Sequence, residues 1–364
     1  MRSAVGLALV ALVTGCGQRA APETSGGGWQ TVTNSPLSAR QYPSVTWVVD
    51  RFIVVGGDDG PPCPRNASCV LPLGSALRDG AAFDPATGLW QRIADAPTPI
   101  LTEDDAVLGS TLYVLMGAPQ PQVPPAFLAF NALEDTWTSL PMPPSGAGEL
   151  VAYGDVLLTV PGTDENARSI DSWFDPTTNT WHEIPDDPLG PSYDRSMTVV
   201  DGRAILTAKD LVPDPGAEKP SIVRLAQLDR TLSRWTVLPD SEVIGSGPVA
   251  VAGRLVFPDV GGADGGAVGN WGREYPDGGI FDPATGMWTN LPSAPGTSSW
   301  PRVVVSDRVV VGDVLLDPVD GTTSTRPADP WSNEDFPTIA TSPTEIFAWG
   351  GAHDRSTTGY LLPS

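Results

Sequence analysis

One short motif recurs along this chain and constrains the fold more than any other feature. Its clearest copies occupy residues 83–90, 174–181 and 281–288, and weaker copies occupy residues 130–137 and 228–235. In each copy an Asp or Asn can bond the backbone two residues on, and most copies then carry a Gly, Asn or Asp that tolerates positive φ. A Trp begins the next strand, so the motif predicts a hairpin carrying a large apolar side chain.

Two more candidate strands precede each hairpin motif, such as residues 44–49 and 51–57 before the first copy. The chain contains 39 Gly and 39 Pro, and no long apolar stretch of helical period follows residue 20. An all-β fold is therefore expected. Four strands per unit, at a spacing of about 50 residues, is the pattern of β-propeller blades.

Two degenerate units complete the repeat. Residues 301–321 begin a sixth unit with Thr323 at the Trp position, and residues 338–362 give three strands of a seventh. Residues 29–36 parallel residues 90–97, so we expect the N-terminal segment to supply the outer strand of the last blade and close the ring. The expected fold is a seven-bladed propeller, with six or eight blades left open.

The order of these parts resembles the kelch family of β-propellers. In that family the second strand of a blade ends in Gly-Gly, and a later strand carries an aromatic-Asp-Pro turn followed by Trp. Residues 56–57 and 350–351 keep the doublet, while Gly117 and Gly162 keep one glycine. The resemblance covers residues 29–364 and implies a galactose oxidase-like propeller. It implies no single activity, because this fold hosts enzymes, sugar binders and scaffolds.

The N-terminus resembles a bacterial lipoprotein signal peptide over residues 1–15, with an apolar stretch that ends in Val-Thr-Gly before Cys16. The resemblance implies lipidation of Cys16; an ordinary secretory signal is the alternative. Residues 16–28 are rich in Gly, Ala, Ser and Pro and are expected to form a flexible tether. We therefore expect the propeller at residues 29–364 to face the extracytoplasmic side, lipid-anchored to the cell membrane.

Cys63 and Cys69 lie in one Pro-rich loop, where a local disulfide is expected in an oxidising compartment and a metal pair is the rival reading. The net charge of −22 disfavours binding to nucleic acid and to anionic lipid headgroups. We expect a monomer without a metal or cofactor.

Candidate ligand-binding residues fall where each innermost strand begins, because propellers commonly bind ligands at that end of the central channel. Three arginines among carboxylates and aromatic side chains suit a carboxylate or sugar hydroxyls, although wet channel rims are the plainer reading. An inserted loop at residues 259–279 adds more aromatic and charged groups, either as a recognition loop or as a floppy insertion. The candidates are Arg40, Tyr42, Glu103, Asp104, Glu149, Tyr193, Arg195, Trp271, Arg273, Tyr275, Trp300 and Arg302.

The sequence offers few residues that could support catalysis. A galactose oxidase-like copper-radical site would need two His, two Tyr and a Tyr–Cys cross-link, and the chain offers only His182 and His353, on segments that should not meet. Acid–base catalysis by carboxylates is the surviving option, as in kelch-like sialic-acid epimerases or lyases. The favoured function is a non-catalytic module at the cell envelope that binds a protein or glycan.

Overall fold

The computed structural model describes residues 28–62, 75–101, 104–117, 123–165, 168–211, 220–260, 262–265, 271–291, 302–331, 337–351 and 356–363. All the regular secondary structure within these ranges consists of β-strands. No helix in them is long and apolar enough to cross a membrane. The expected signal peptide, most of the expected tether, Cys16, Cys63, Cys69, Glu103, Trp300 and His353 lie outside the described residues.

The strands group into blades along the chain. The first strand, β1 (Gln30–Val32), precedes blade 1. Blade 1 contains β2 (Ser44–Val48), β3 (Arg51–Val55), β4 (Gly80–Asp84) and β5 (Leu89–Ile93). Blade 2 contains β6 (Asp104–Leu108), β7 (Thr111–Met116), β8 (Ala126–Asn131) and β9 (Thr136–Leu140). Blade 3 contains β10 (Glu149–Tyr153), β11 (Val156–Val160), β12 (Ser172–Asp175) and β13 (Thr180–Glu183).

The later blades vary more in length. Blade 4 contains β14 (Ser192–Val200), β15 (Arg203–Asp210), β16 (Val223–Leu228) and β17 (Trp235–Val237). Blade 5 contains β18 (Val249–Val251) and β19 (Arg254–Phe257), then an inserted hairpin of β20 (Ala263–Gly265) and β21 (Glu274–Pro276), then β22 (Gly279–Asp282) and β23 (Met287–Thr289). Blade 6 contains β24 (Arg302–Val305), β25 (Arg308–Val311), β26 (Val314–Leu316) and β27 (Thr323–Thr325). Blade 7 contains β28 (Thr338–Thr341), β29 (Glu345–Trp349) and β30 (Gly359–Pro363), to which β1 is added.

The seven four-stranded sheets form a ring. Strands within each sheet are antiparallel neighbours, and the first strands of successive blades contact one another around the circle. Blade 7 has the order β1-β30-β29-β28, with Gln30 opposite Leu361 and Val32 opposite Gly359. The prediction of a seven-bladed propeller closed by an N-terminal outer strand is confirmed.

The apolar core is divided among the seams between adjacent blades. Seven buried clusters each combine side chains from two neighbouring sheets. In the seam between blades 7 and 1, Phe83 stacks on Phe347 with a centroid distance of 5.3 Å, and Trp349 is fully buried. Because each seam buries its own cluster, the fold needs no single central core.

The repeated hairpin turns have the chemistry that their residues predict. Asp84 accepts hydrogen bonds from the backbone N–H groups of Ala86 and Thr87. Gly88 in the same turn has a φ of 69°, and the equivalent Asn179 has 58°. Blade 4 differs, because the residue with positive φ there is Leu232 and not the Ser233 that the motif spacing indicates.

The Trp of the motif makes a hydrogen bond between blades that the sequence did not suggest. In four successive seams the indole N–H donates to a backbone carbonyl of the preceding blade, four residues beyond that blade's own Trp. We call this contact the inter-blade indole bond. The pairs are Trp137 to Ala94 (2.8 Å), Trp181 to Pro141 (2.7 Å), Trp235 to Pro185 (2.7 Å) and Trp288 to Pro239 (3.2 Å).

These four bonds connect blades 1 to 5 in series, and the other three seams differ. Blade 6 carries Thr323 where a Trp would stand. The buried indole N–H groups of Trp29 and Trp90 have no hydrogen-bond partner among the described residues. Across the described part of the chain, blades 6 and 7 are therefore joined to their neighbours without inter-blade indole bonds.

We expect Trp137→Phe to destabilise the protein more than Trp90→Phe. Both changes remove a similar part of an indole ring, but only the first removes an inter-blade indole bond and leaves the Ala94 carbonyl without it. The difference in the free energy of unfolding should be about 1 kcal/mol, measured by urea titration with circular dichroism. Trp181→Phe should behave like Trp137→Phe. Equal losses for all three variants would contradict a stabilising role for the bond.

Candidate functional site

The first strand of each blade begins at one face of the ring, which we call the entry face. The second strand of a blade ends at this face and the third strand begins there, because neighbouring strands run antiparallel. The segments before the first strands and the hairpin of β20 and β21 therefore share this face. The candidate residues Glu103 and Trp300 lie outside the described residues.

Arg40 lies beneath the entry face and is fully buried. Its guanidinium donates to both carboxylate oxygens of Asp79, at 2.7 and 3.2 Å, to the Gly56 carbonyl and to Ser38. Burial acts to raise the pKa of Asp79, but the hydrogen bonds and charges of Arg40 and Arg92 outweigh it and hold that pKa below its ordinary value. Arg40 therefore directs its N–H groups to protein acceptors.

Tyr42 lies two residues further on and is 51% exposed. Its backbone has a φ of 52°, a conformation that few residues other than Gly adopt. The glycine doublets hold this segment from two sides. A Cβ on Gly57 would stand 2.8 Å from the Gln41 carbonyl oxygen, and one on Gly350 would stand 2.9 Å from the Arg40 carbonyl oxygen. Close backbone packing thus keeps Tyr42 on the entry face.

Arg195 is also buried, at the junction of blades 3 and 4. Its guanidinium contacts the carboxylates of Asp171 at 2.8 Å, Asp187 at 2.9 Å and Asp164 at 3.4 Å, and all four side chains are at most 7% exposed. Burial raises the pKa of Asp171 to about 6 in spite of the adjacent guanidinium. These contacts make Arg195 a structural centre that joins the connections of two blades.

A β-bulge in β14 separates Arg195 from its neighbours. The register with β15 shifts between Tyr193 and Ser196, and Asp194 in the bulge has a φ of 48°. Asp194 accepts a hydrogen bond from the Lys209 ammonium at 2.9 Å, and that ammonium lies 5.9 Å from the centre of the Tyr193 ring. The bulge therefore sends Arg195 into the protein while Tyr193 and Asp194 meet Lys209.

Arg302 reaches the same region from blade 6. Its guanidinium forms an ion pair with Asp259, which follows β19 of blade 5. Burial raises the pKa of Asp259 more than the charges of Arg302 and Lys209 lower it. Burial and the charges of Asp259 and Asp264 likewise raise the pKa of Asp277. We call Tyr193, Asp194, Lys209, Asp259, Asp277 and Arg302 the entry site.

A second group of carboxylates lines the first strands of blades 2 and 3. Glu149 accepts hydrogen bonds from the Met197 backbone N–H at 2.7 Å and from the Ser196 hydroxyl at 3.1 Å. Burial raises the pKa of Glu149, and the charge of Asp104 adds to that effect. Asp105 accepts a hydrogen bond from Thr46 of blade 1. These contacts tie the innermost strands of neighbouring blades together.

The inserted loop of blade 5 folds into the hairpin of β20 and β21. The Trp271 and Tyr275 rings meet edge to face with centroids 6.1 Å apart, and the Arg273 guanidinium lies 4.4 Å from the centre of the Tyr275 ring. Arg273 also pairs with Glu242 at 2.8 Å, in the connection between blades 4 and 5. The three residues expected in this loop thus come together, held to the chain segment that precedes blade 5.

The structure brings only part of the expected set together. Tyr193 and Arg302 lie in the entry site, and Asp104 and Glu149 lie close enough to interact electrostatically. Lys209, Asp259 and Asp277 were not among the predicted site residues. Lys209 stands near the end of a second strand, and Asp259 and Asp277 lie in the inserted loop, where only Trp271, Arg273 and Tyr275 were predicted. Lys209 is one of two lysines in the chain, and its position at the end of a strand was the available signal.

Comparisons with known protein families and with curated proteins found no matching family model and no matching curated protein. No group of three or more His, Cys, Asp or Glu side chains in the described ranges is arranged to hold a metal ion. His182 lies on the outer strand β13, as expected, and stacks on Trp173 with a centroid distance of 4.2 Å.

We expect Asp105→Asn to stabilise the protein at pH 7 to 8 and to weaken the pH dependence of its stability. Burial raises the pKa of Asp105 to about 6 from 3.8, and the charge of Asp104 adds to this while Thr46 and Ser44 oppose it. The folded form therefore binds this proton more tightly than the unfolded form. The contribution of Asp105 to the free energy of unfolding should therefore rise as the pH falls from about 7 to about 4.

Urea titrations at pH 8, 7, 6 and 5 measure this effect. The gain in unfolding free energy that the wild type shows between pH 8 and pH 5 should shrink in Asp105→Asn by about 1.4 kcal/mol. Asp155→Asn changes an exposed carboxylate and should keep the wild-type profile. An unchanged pH profile in Asp105→Asn would show that this carboxyl titrates alike in both states.

Proposed function

We propose that this protein is a lipid-anchored cell-envelope propeller that binds a protein or a glycan at its entry face. The observation that carries the proposal is the ion pair between Arg302 of blade 6 and Asp259 of blade 5, close enough to Lys209 of blade 4 for the lysine charge to act on Asp259. Side chains that meet from separate blades at a channel mouth form a site that no single blade could build. Convergent polar groups in a concavity are the usual basis for fixing a small polar ligand.

The chemistry of the entry site favours hydroxyl and carboxylate groups as ligands. The entry site contains two cations and three carboxylates, and the Lys209 ammonium lies 5.9 Å from the centre of the Tyr193 ring, which supplies a flat apolar face. Such a mixture can donate to and accept from sugar hydroxyls, and it can bind an acidic group through Arg302 or Lys209. A uronic or sialic acid residue in a glycan would fit this combination.

Tyr42 supports a binding role for the wider entry face. The side chain is half exposed although its backbone has an unfavourable conformation, which the close approach of Gly57 and Gly350 maintains. Strained exposed residues concentrate at functional sites, and Tyr is enriched among residues that dominate binding energies. Tyr42 therefore extends the proposed binding surface to the side of blade 1.

A specific observation favours a second candidate function, a carbohydrate-active enzyme such as an epimerase or lyase. Asp259 combines a raised pKa with an adjacent guanidinium at the channel mouth. This pairing suits a general acid or base near an anionic substrate. If the wild type converts the bound sugar to a product, and Asp259→Asn still binds the sugar but no longer converts it, the enzyme function would be favoured over simple binding.

We expect the lipid-free protein (Cys16→Ser) to bind an acidic oligosaccharide through the entry site. A thermal-shift screen of neutral, uronic and sialic-acid-containing sugars would find the ligand, and calorimetry would give its Kd. Arg302→Gln and Lys209→Met should each weaken binding about tenfold, because each removes a charge-assisted hydrogen bond. Tyr42→Ala should weaken binding to longer sugars only.

Arg254→Gln provides the matched control. Arg254 begins β19 at the opposite face, where it pairs with Asp282 at 3.4 Å. This variant should keep the wild-type affinity. A ligand that binds equally well to Arg302→Gln and Lys209→Met would place the site elsewhere. If no sugar binds, a photo-cross-linker at position 42 should capture one envelope protein, and its failure would reject binding at this face.

We expect Cys16→Ser to release the protein from the membrane. The resemblance of residues 1–16 to a lipoprotein signal implies thioether lipidation of Cys16. Wild-type protein should sediment with membranes and incorporate labelled palmitate in a bacterial host, while Cys16→Ser should do neither. Cys63→Ser should remain lipidated. Labelled Cys16→Ser protein, or a wild type without label, would contradict the anchor.

A further inference from the structure

A cavity of about 560 Å³ lies in the seam between blades 6 and 7. It extends along the seam from the turn between β24 and β25, which lies opposite the entry face, to Arg326 and Pro327, which follow β27 at the entry end of blade 6. Val305, Leu315, Ile346 and Leu362 supply apolar walls, and Arg308 and Arg326 supply charge. Its volume lies within the range of small-molecule sites, which is about 300–1,000 Å³.

The irregular construction of this seam explains the cavity. In the seam between blades 1 and 2, the corresponding groove is about 350 Å³ and is partly covered by the hairpin turn of blade 2, at residues 132–135. In blade 7 the third and fourth strands are β30 and β1, which come from distant parts of the chain, so no hairpin turn joins them. In the described part of the chain the cavity between blades 6 and 7 therefore has no hairpin turn over it, and it is larger.

The charges of the two grooves also differ. The groove between blades 1 and 2 is lined by Asp50 and Asp135 as well as Arg51. The larger cavity is lined by two arginines and by no carboxylate among the described residues. In a chain of net charge −22, a pocket with apolar walls and a positive edge is unusual. It should attract a molecule that has an apolar body and a negative group.

Arg308 is the cation available to such a molecule. Arg326 is buried, and its guanidinium donates hydrogen bonds to the Asp329 carboxylate and to the Gly312 carbonyl oxygen. Arg308 is exposed, and within the described ranges it has no ion pair. Hydrogen bonds from Thr322 lower the pKa of Asp320, and the charge of Arg308 lowers it further by a smaller amount. A ligand carboxylate could approach Arg308 without displacing a salt bridge.

We propose that the seam between blades 6 and 7 binds an aliphatic carboxylate of medium chain length. The chain lies against Val305, Leu315, Ile346 and Leu362, and the carboxylate pairs with Arg308. This site is independent of the entry site and of the function proposed for it. The class of ligand follows from the apolar walls and from charge complementarity at the edge of the cavity.

Isothermal titration of the lipid-free protein (Cys16→Ser) with dodecanoate at pH 7.5, below micelle formation, tests the proposal. We expect saturable binding at one site with a Kd below about 100 µM. Dodecanol has the same chain without the charge, and it should bind about tenfold more weakly. Octanoate should also bind more weakly, because it buries fewer methylene groups.

Two variants locate the site. Arg308→Gln removes the cation from an exposed position and should weaken dodecanoate binding fivefold to tenfold, by about the strength of a charge-assisted hydrogen bond. Leu315→Trp fills the cavity from a half-buried wall position and should abolish binding. Its circular dichroism spectrum and urea midpoint report whether it folds. If Leu315→Trp does not fold, Arg308→Gln alone still decides the outcome.

Arg51→Gln is the matched control, since Arg51 begins the second strand of blade 1 as Arg308 begins that of blade 6. It should leave the dodecanoate affinity unchanged. The proposal is overturned if 1 mM dodecanoate gives no saturable heat. It is also overturned if Arg308→Gln and Arg51→Gln bind dodecanoate as tightly as the wild type, because binding would then be nonspecific or located elsewhere.

Discussion

The inter-blade indole bond orients each of blades 2 to 5 against the blade before it. Strands of different blades do not pair in a common sheet, and backbone hydrogen bonds between blades, such as that from the Arg195 N–H to the Gly162 carbonyl oxygen at 2.9 Å, lie at the entry face. Side chains therefore supply much of the contact between one blade and the next. Apolar packing favours contact but is not directional. The Trp137 ring packs against Phe130 of its own blade, with ring centroids 4.9 Å apart, and its N–H bonds to the preceding blade. It therefore adds both apolar contact area and a directional hydrogen bond.

The sequence predicts the fold well because the repeated hairpin is a local unit. Asp84, Gly88 and Trp90 determine a turn and a strand through contacts within a few residues, and repetition then implies a ring. The inter-blade indole bond was beyond prediction from one copy, since donor and acceptor stand 40 to 50 residues apart and the acceptor is a backbone atom. Its constant offset of four residues becomes visible only when the blades are superposed.

The candidate site was harder to predict than the fold because side-chain burial depends on contacts distant in sequence. Arg195 and Arg302 both stand near the start of a first strand, yet Arg195 is enclosed by Asp164, Asp171 and Asp187 while Arg302 reaches Asp259 near the surface. The bulge in β14 decides which of its side chains turns inward. The strand pattern of the sequence did not indicate that bulge, so Arg195 and Tyr193 looked alike.

Departures from the regular blade are concentrated in one arc of the ring. Blade 4 has the bulge, blade 5 has the inserted hairpin, blade 6 has Thr323 in place of Trp, and blade 7 is assembled from both ends of the chain. Blades 1 to 3 follow the repeat more closely. Functional sites are expected where a sequence departs from the local pattern that fits its fold. The groups proposed for binding at the entry site and at the cavity beside Arg308 both lie in this irregular arc, and Tyr42 of blade 1 borders it.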